Sequence, residues 1–438
     1  MKTTLVPALA AMAAGALLLA GCAGGNPAPS GPAETPSSPA PSPEQPVDLT
    51  VAVWTGSEDH LRILNGIADS YLAEHPEIGT ITFETLPWDA YNTTLATRIG
   101  AGQSPDLAWL TEKEAPEWIA NDALYDVQPV ISADPAYEYG ELVDSAMTGW
   151  RVDGATYGYP FSTSAFGLFY NATLIREAGA SDPQNLEDSG GWTWEAARQI
   201  AASTAAASGK AGLVFGAFDF VNWDNLTTLH AAYGARPWSP DGATCEFDSP
   251  QMIEAMTFFH DGVYRDRAFP EPGTSPDFFA GDAAMVITQI SRASTLKEAP
   301  FDWGLVPLPE GPAGRAPVFG QGAVAVLASS PHPAQAAEFF AHLTGPDASK
   351  QLAAYFPPPR KNLLNVETLG AANPALSPEQ IENVLVQGVL NGQVKPSHKN
   401  WAAVNDETKT ALDELWPASG DPAAVLPKVC AAIQPLLG

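Results

Sequence analysis

The tightest constraint on the fold is a hydrophobic period that switches repeatedly just after residue 46. Leu49, Val51 and Val53 alternate with Asp48, Thr50 and Ala52, which predicts a strand ending at Trp54. Thr55-Gly56 turns the chain, and Ser57 stands where it can cap a helix with apolar positions Leu61, Leu64, Ile67, Ala68 and Tyr71. Pro76 stops that helix. Ile81, Phe83 and Leu86 mark a second strand, a helix over 88–99 closes at Gly100-Ala101-Gly102, and 105–110 is a third strand. Strand–helix units in tandem build a parallel sheet with helices on both faces. Ligands of such sheets sit at the carboxyl ends of the strands. Those ends are Trp54 to Glu58, Pro87-Trp88 and Trp109 to Glu112.

Upstream, Lys2 precedes an apolar run from Leu5 to Leu19, and Ala20-Gly21 stand directly before Cys22. A charge, a short apolar run and small residues at a cleavage point make a secretory signal over 1–21. The run is too short to cross a bilayer, which takes about 20 apolar residues. Leu19-Ala20-Gly21-Cys22 resembles the bacterial lipobox, so Cys22 is expected to be lipidated and to begin the mature chain. Eight prolines follow before Val47, among Ala, Ser and Gly. With nothing aliphatic larger than Ala, residues 22–46 cannot offset their ordering entropy, and a disordered, polyproline-rich leash is expected. The body is therefore expected outside the cytoplasm, held at the outer face of the cell membrane by an N-terminal lipid.

What remains of the 438 residues is too long for one core and suits two domains. A formal net charge of −29 and the lack of any Lys/Arg run exclude nucleic acid as a partner. No later apolar segment is long enough to span a membrane, so the lipid is the only expected membrane contact. With Cys22 assigned to the anchor, Cys245 and Cys430 are left; in an exported chain they are expected to pair, the alternative being two separate buried thiols. No Gly-x-Ser-x-Gly elbow, His-Glu-x-x-His pair, zinc spacing or P-loop occurs. Gly320-Gln321-Gly322-Ala323-Val324-Ala325 imitates a dinucleotide fingerprint but is expected to precede its strand instead of following it. No metal, cofactor or catalytic residue is expected.

A second module opens near Tyr157-Gly158-Tyr159-Pro160, with strands over 165–170, 213–218, 284–287, 301–309 and 323–327. Helices are expected over 250–263, 334–343, 378–389, 402–415 and 423–436, with a long one capped by Thr193. Several segments then match a known pattern. They are Val53-Trp54-Thr55-Gly56, Ala101-Gly102-Gln103-Ser104-Pro105-Asp106, Tyr157 to Pro160, Phe169-Tyr170-Asn171 and Thr193-Trp194-Glu195. Phe279 to Met285, Trp303 to Pro309 and Ala336-Ala337-Glu338-Phe339-Phe340 complete the set. Through their order and spacing the chain resembles the extracellular solute-binding proteins, family 1, of ABC importers, in the maltose-binding-protein-like group.

That resemblance implies an α/β fold of two lobes, type II periplasmic-binding-protein-like, each lobe a mixed sheet flanked by helices, with a hinge between them. Carried over, one lobe is 47–160 plus 316–345 and the other 161–315 plus 346–438. It further implies a monomeric lipoprotein that captures a mono- or oligosaccharide by hinge closure and delivers it to the transmembrane subunits of an ABC permease. Two other readings stay open: a receptor for a non-sugar solute such as a polyamine or peptide, and a tethered exported glycoside-active enzyme, which needs only two placed carboxylates.

A sugar presents hydroxyls to hydrogen bond and C–H faces to lay on aromatic rings. Strand-end logic and the resemblance converge on Trp54, Ser57 and Glu58, followed by Trp88, Trp109 and Glu112. Ser162 and Ser164 would line the hinge side, and Asp219, Asn222, Trp223 and Asp224 follow a strand end in the second lobe. Gln289 and Arg292 stand where the family commonly supplies a glycine and an aromatic residue. Arg360, after Pro357-Pro358-Pro359, is a further candidate, with a solvated surface position as its alternative. Trp401 falls where relatives place a C-terminal aromatic platform and is the first choice for stacking. Trp192 and Trp194 are assigned to packing.

Overall fold

The computed structural model describes residues 46–438; the signal segment, Cys22 and the leash up to Gln45 lie outside the described residues. Strands β1 (Val47–Val53), β2 (Ile78–Thr85) and β3 (Leu107–Thr111) alternate with helices α1 (Glu58–Leu72) and α2 (Tyr91–Gly100). As the periodicity predicts, β1 pairs parallel with both β2 and β3. The Ser57 hydroxyl accepts a hydrogen bond from the His60 N–H, and α1 buries Leu64, Ile67, Ala68 and Tyr71.

The middle of the chain differs from the periodicity reading in one important way. The strand expected over 165–170 is the second half of β4 (Tyr159–Asn171), thirteen residues long and buried at every position but Ser162. Covered on both faces, it has no alternation by which its start could be seen. After it come α3 (Trp194–Ser208), whose cap is Thr193 as expected, β5 (Ala211–Phe215), α4 (Pro250–Tyr264), β6 (Ala283–Gln289) and β7 (Trp303–Val306). The chain closes with β8 (Val318–Val326), α5 (Pro333–Thr344), β9 (Gln393–Val394), α6 (Trp401–Leu412) and α7 (Pro422–Ile433). The glycine-rich run 320–325 does not precede a strand; it lies inside β8.

Together the strands form a mixed sheet in the order β2-β1-β3-β8-β4-β6-β5, with β9 added to β8 and β7 to β4. The long strand β4 belongs to two half-sheets. Its residues Tyr159 to Ala165 pair antiparallel with β8, and Phe166 to Asn171 pair antiparallel with β6 and β7. This is the α/β, two-lobe architecture that the resemblance implies, and the chain passes between half-sheets without leaving a strand.

Each half has its own apolar interior. One cluster joins Leu49, Val51 and Val53 of β1 to Leu64 and Ile67 of α1 and to Phe339 and Phe340 of α5. A second packs α3, α4, α6 and α7 on Leu213, Phe215, Met285 and Ile287, and holds Trp192 and Trp194, which are packing residues as expected. A third covers the opposite face of the same half-sheet, around Phe169, Val286 and Leu305. Cys245 and Cys430 are joined in a disulfide that ties the segment before α4 to α7 across 185 residues of chain. Closing so long a loop restricts the unfolded ensemble, so replacing both cysteines by Ala should lower the unfolding free energy by about 2–4 kcal/mol. Urea titration of the oxidised wild type against the double variant measures this.

Candidate functional site

A cavity of about 420 Å³ lies where strand-end logic puts a ligand. Trp54 follows β1, Glu112 and Lys113 follow β3, Gly216 and Ala217 follow β5, and Thr288 and Gln289 end β6. Ser162 and Phe166 reach it from β4, Gln321 from β8, and Lys395 from just beyond β9. Both half-sheets therefore supply its walls.

The aromatic wall is built from β1 outward. Trp54 meets Trp88, Tyr91 and Trp109 edge-on, at ring separations of 5.3, 5.3 and 5.1 Å. Behind it, the Tyr91 hydroxyl donates to the Ala52 carbonyl at 2.9 Å and accepts from the Trp109 N–H at 3.1 Å, which fixes the ring stack to the sheet. Trp88 stands at the mouth with 60% of its surface exposed. Opposite, β8 is thinned by glycine. A side chain at 322 would come within 2.9 Å of the Trp54 ring, and one at 320 within 2.3 Å of the Gln289 amide. The glycines of the run thus let cavity side chains from both halves lie directly on the shared sheet.

The polar floor is an ion cluster. The Lys395 ammonium lies 2.9 Å from Asp224, 3.5 Å from Glu112 and 3.5 Å from the Asn225 side-chain amide oxygen. Lys113 stands 3.5 Å from the same Asp224 oxygen, and Glu112 also accepts the Gln321 N–H at 2.9 Å. Burial raises the Asp224 pKa, but Lys395 and then Lys113 outweigh it and hold the carboxyl below its usual range. Burial likewise opposes the charge on Lys395, and Asp224 and Glu112 outweigh it and hold the ammonium above its usual range. Glu112 and Lys113 come from the β3 side and Asp224 from the β5 side, so the cluster spans the two halves. A second link forms beside it, where the Ala402 N–H donates to Glu117 at 3.0 Å.

Residues 56–350 match the family described as bacterial extracellular solute-binding protein. The chain belongs to that family. Among relatives, an uncharacterised lipoprotein from the oleD 5′ region of Streptomyces antibioticus is 25% identical over 81% of this chain and 75% of its own length. The maltotriose-binding protein of Pyrococcus abyssi is 23% identical over 86% of this chain and 80% of its own. In fold, the solute-binding protein is similar to the cyclic alpha-maltosyl-1,6-maltose binding protein of Arthrobacter globiformis, with a TM-score of 0.76 at 18% identity, over 90% of this chain and 99% of that one.

Of the residues named from the sequence of this solute-binding protein, Trp54, Trp88, Glu112, Ser162, Asn222 and Gln289 line the cavity. Asp224 lies beneath it in the ion cluster, and Trp109 stands behind Trp54. Asp219 and Arg292 line an adjoining space. The rest lie elsewhere. Ser57 is spent as a helix cap, with exposed Glu58 in the same turn. Ser164 is buried and accepts the Ser291 N–H at 3.4 Å.

Three expectations are corrected by packing. Trp401, at the first turn of α6, turns back into the core and lies 6.1 Å from the ring of Trp223, with 6% of its surface exposed. Trp223 is buried too, donating its indole N–H to Asn405 at 3.1 Å. Arg360 reaches neither cleft nor solvent: fully buried, it donates to the Tyr137 and Thr344 carbonyls at 2.9 and 2.7 Å and to Ser349 at 3.3 Å.

Lys113, Asn225, Gln321 and Lys395 were not foreseen. Lys113 and Asn225 are direct neighbours of named residues and could have been found by widening each strand end by one position. Lys395 carries no such signal, because a two-residue strand places it.

Removing Lys395 would take away the ammonium that faces buried Glu112 and leave Asp224 with Lys113 at 3.5 Å. Lys395→Met should therefore cost about 3–5 kcal/mol in urea unfolding. The sign of the pH dependence follows from the shifts. With the Asp224 pKa depressed, its contribution is complete above about pH 4 and is lost as pH falls through the folded value. With the Lys395 pKa elevated, its contribution is complete below about pH 10 and lost as pH rises further. Asp224→Asn should flatten the acid limb of a stability–pH profile and leave neutral pH less stable than the wild type.

Proposed function

We propose that the chain is the substrate-binding lipoprotein of an ABC importer, taking a mono- or oligosaccharide between its lobes by hinge closure and passing it to a membrane permease. The observation that carries this reading is a cavity walled by both half-sheets, with tryptophan rings on one side and amides and hydroxyls on the other. Rings suit the C–H faces of a sugar, and Asn222, Asn225, Gln289, Ser162 and Thr288 suit its hydroxyls. Two lysines beside two carboxylates leave no net charge on the floor, which favours a neutral ligand over a polyamine. Similarity to a maltotriose-binding protein and to a cyclic maltosyl-maltose binding protein supports the same class.

The lobes in this reading are 47–160 plus 316–345 and 161–315 plus 346–438. Ligand contacts from both favour the closed arrangement, because only there are all of them made. Cys22 is the lipidated residue of the mature monomer, a reading supported by Leu19-Ala20-Gly21-Cys22 and by the lipoprotein relative.

A thermal-shift screen over mono- and oligosaccharides, polyamines and peptides tests the class. A saccharide at 100 times its Kd should add about 2.7 kcal/mol and raise Tm by a few degrees. A rise with polyamines or peptides alone would overturn the carbohydrate reading, and release of a cleaved glycan would overturn the receptor reading. Within the saccharide class, Trp88→Ala should weaken binding about tenfold in calorimetry while leaving Tm of the free protein unchanged, because the ring is largely solvent-exposed.

A further inference from the structure

Among the described residues, two large apolar side chains leave more than half of their surface in water: Trp88, at 60%, and Val221, at 53%. One exposed apolar residue needs no explanation. These two, however, stand at the same opening. Trp88 follows β2 in one half and lines the cavity at its mouth. Val221 lies in the turn after β5 in the other half, between Ala217 and Asn222, which line the same cavity. They occupy its two lips, one from each half.

Neither is a loose end. Trp88 opens a single helical turn after Pro87 and meets Trp54 edge-on at 5.3 Å. The turn that carries Val221 is held against its own backbone preference. Ala217, Asp219 and Phe220 take left-handed backbone, with φ of 56°, 43° and 56°, a region that L side chains rarely adopt and bulky ones least of all.

Surrounding contacts keep them there. The Phe218 carbonyl accepts from the Val221 and Asn222 N–H groups at 2.9 and 2.8 Å, and Asn225 donates to the Ala217 carbonyl at 2.9 Å. The Phe218 and Phe220 rings pack on Trp416 at 5.5 and 5.6 Å. With those rings tied down, Val221 is left facing water. Backbone strain of this kind collects at ligand clamps and switch regions. Here it holds an isopropyl group out in solvent, beside a mouth whose other lip is an exposed indole.

We infer that Val221 and Trp88 form an apolar clasp: when the halves close, the two side chains meet across the mouth, leave water together and slow the escape of whatever lies beneath. Resting on the hinge-closure reading above, the clasp adds to it a contact between protein groups alone. Its driving force is the removal of apolar surface from water, so it acts whether or not a ligand is bound. It forms only after closure, so it governs release and not capture.

Two measurements on the mature chain test the clasp. In the first, Trp88→Cys and Val221→Cys are combined and treated with dipyridyl disulfide, without ligand and with a saccharide that raises Tm. A disulfide closes only where two Cα atoms come within about 7 Å. Peptide mass mapping should find residues 88 and 221 joined slowly in the free protein and several-fold faster with saccharide. No such bond under either condition would overturn the clasp, as would a rate that ligand leaves unchanged. In the second, stopped-flow release of saccharide should be several-fold faster for Val221→Ser, with the association rate and the Tm of the free protein unchanged. In a Trp88→Ala background the same substitution should have no further effect. Release at the wild-type rate, or an effect undiminished in that background, would overturn the pairing while leaving the carbohydrate reading intact. Failure of every saccharide to bind would overturn that reading instead; the ligand-free bond between 88 and 221 then decides the clasp alone, which stands if the bond forms and falls if it does not.

Discussion

One ammonium group organises the centre of the molecule. Lys395 reaches across to carboxylates from either half, Glu112 beyond β3 and Asp224 beyond β5, and is almost wholly removed from water. Desolvating three charges is expensive, and only their close mutual placement offsets it. That requirement ties the position of the β9 segment, the β3 end and the β5 loop to one another. Because Glu112 also accepts the Gln321 N–H, the cluster is anchored to β8 and through it to the shared sheet.

The shared sheet supplies the complementary constraint. Strand β4 is hydrogen-bonded at one end to β8 and at the other to β6 and β7, so neither half can shift in register without breaking a ladder. One ladder gives way to the next at Ala165 and Phe166. Phe166 lines the cavity and Ala165 lies against Gly388, so the junction of the two ladders borders the site.

Much of the fold could be read from pattern. The β1–α1–β2–α2–β3 series has one wet face per helix and alternating or short buried strands, and its elements, cap and pairing direction all appear where periodicity puts them. Strand β4 is harder because it is buried at every position but Ser162, and burial on both faces erases the two-residue period. The glycine-rich run of β8 reads as loop because glycine has low strand preference; here it serves to admit Trp54 and Gln289. Site residues divide along the same line. Those at strand ends, such as Trp54, Glu112 and Asn222, follow from topology, whereas Trp401 and Arg360 were misplaced because a tryptophan or an arginine near a helix start looks the same in sequence whether it faces solvent, cleft or core.

By itself the sequence determined a large acidic α/β body whose first sheet is parallel, and it pointed to three tryptophan-bearing strand ends as the place for a ligand. These are local properties: period, caps, composition and turn chemistry act over a few residues and leave their mark there. Only the tertiary structure decided that Lys395 closes the floor, that Trp223 and Trp401 pack on each other, and that a phenylalanine-lined space adjoins the cleft. Each depends on groups far apart in the chain meeting in a medium where charge and apolar surface must be matched. That matching is settled by which surfaces exclude water together, and no short stretch of sequence contains it.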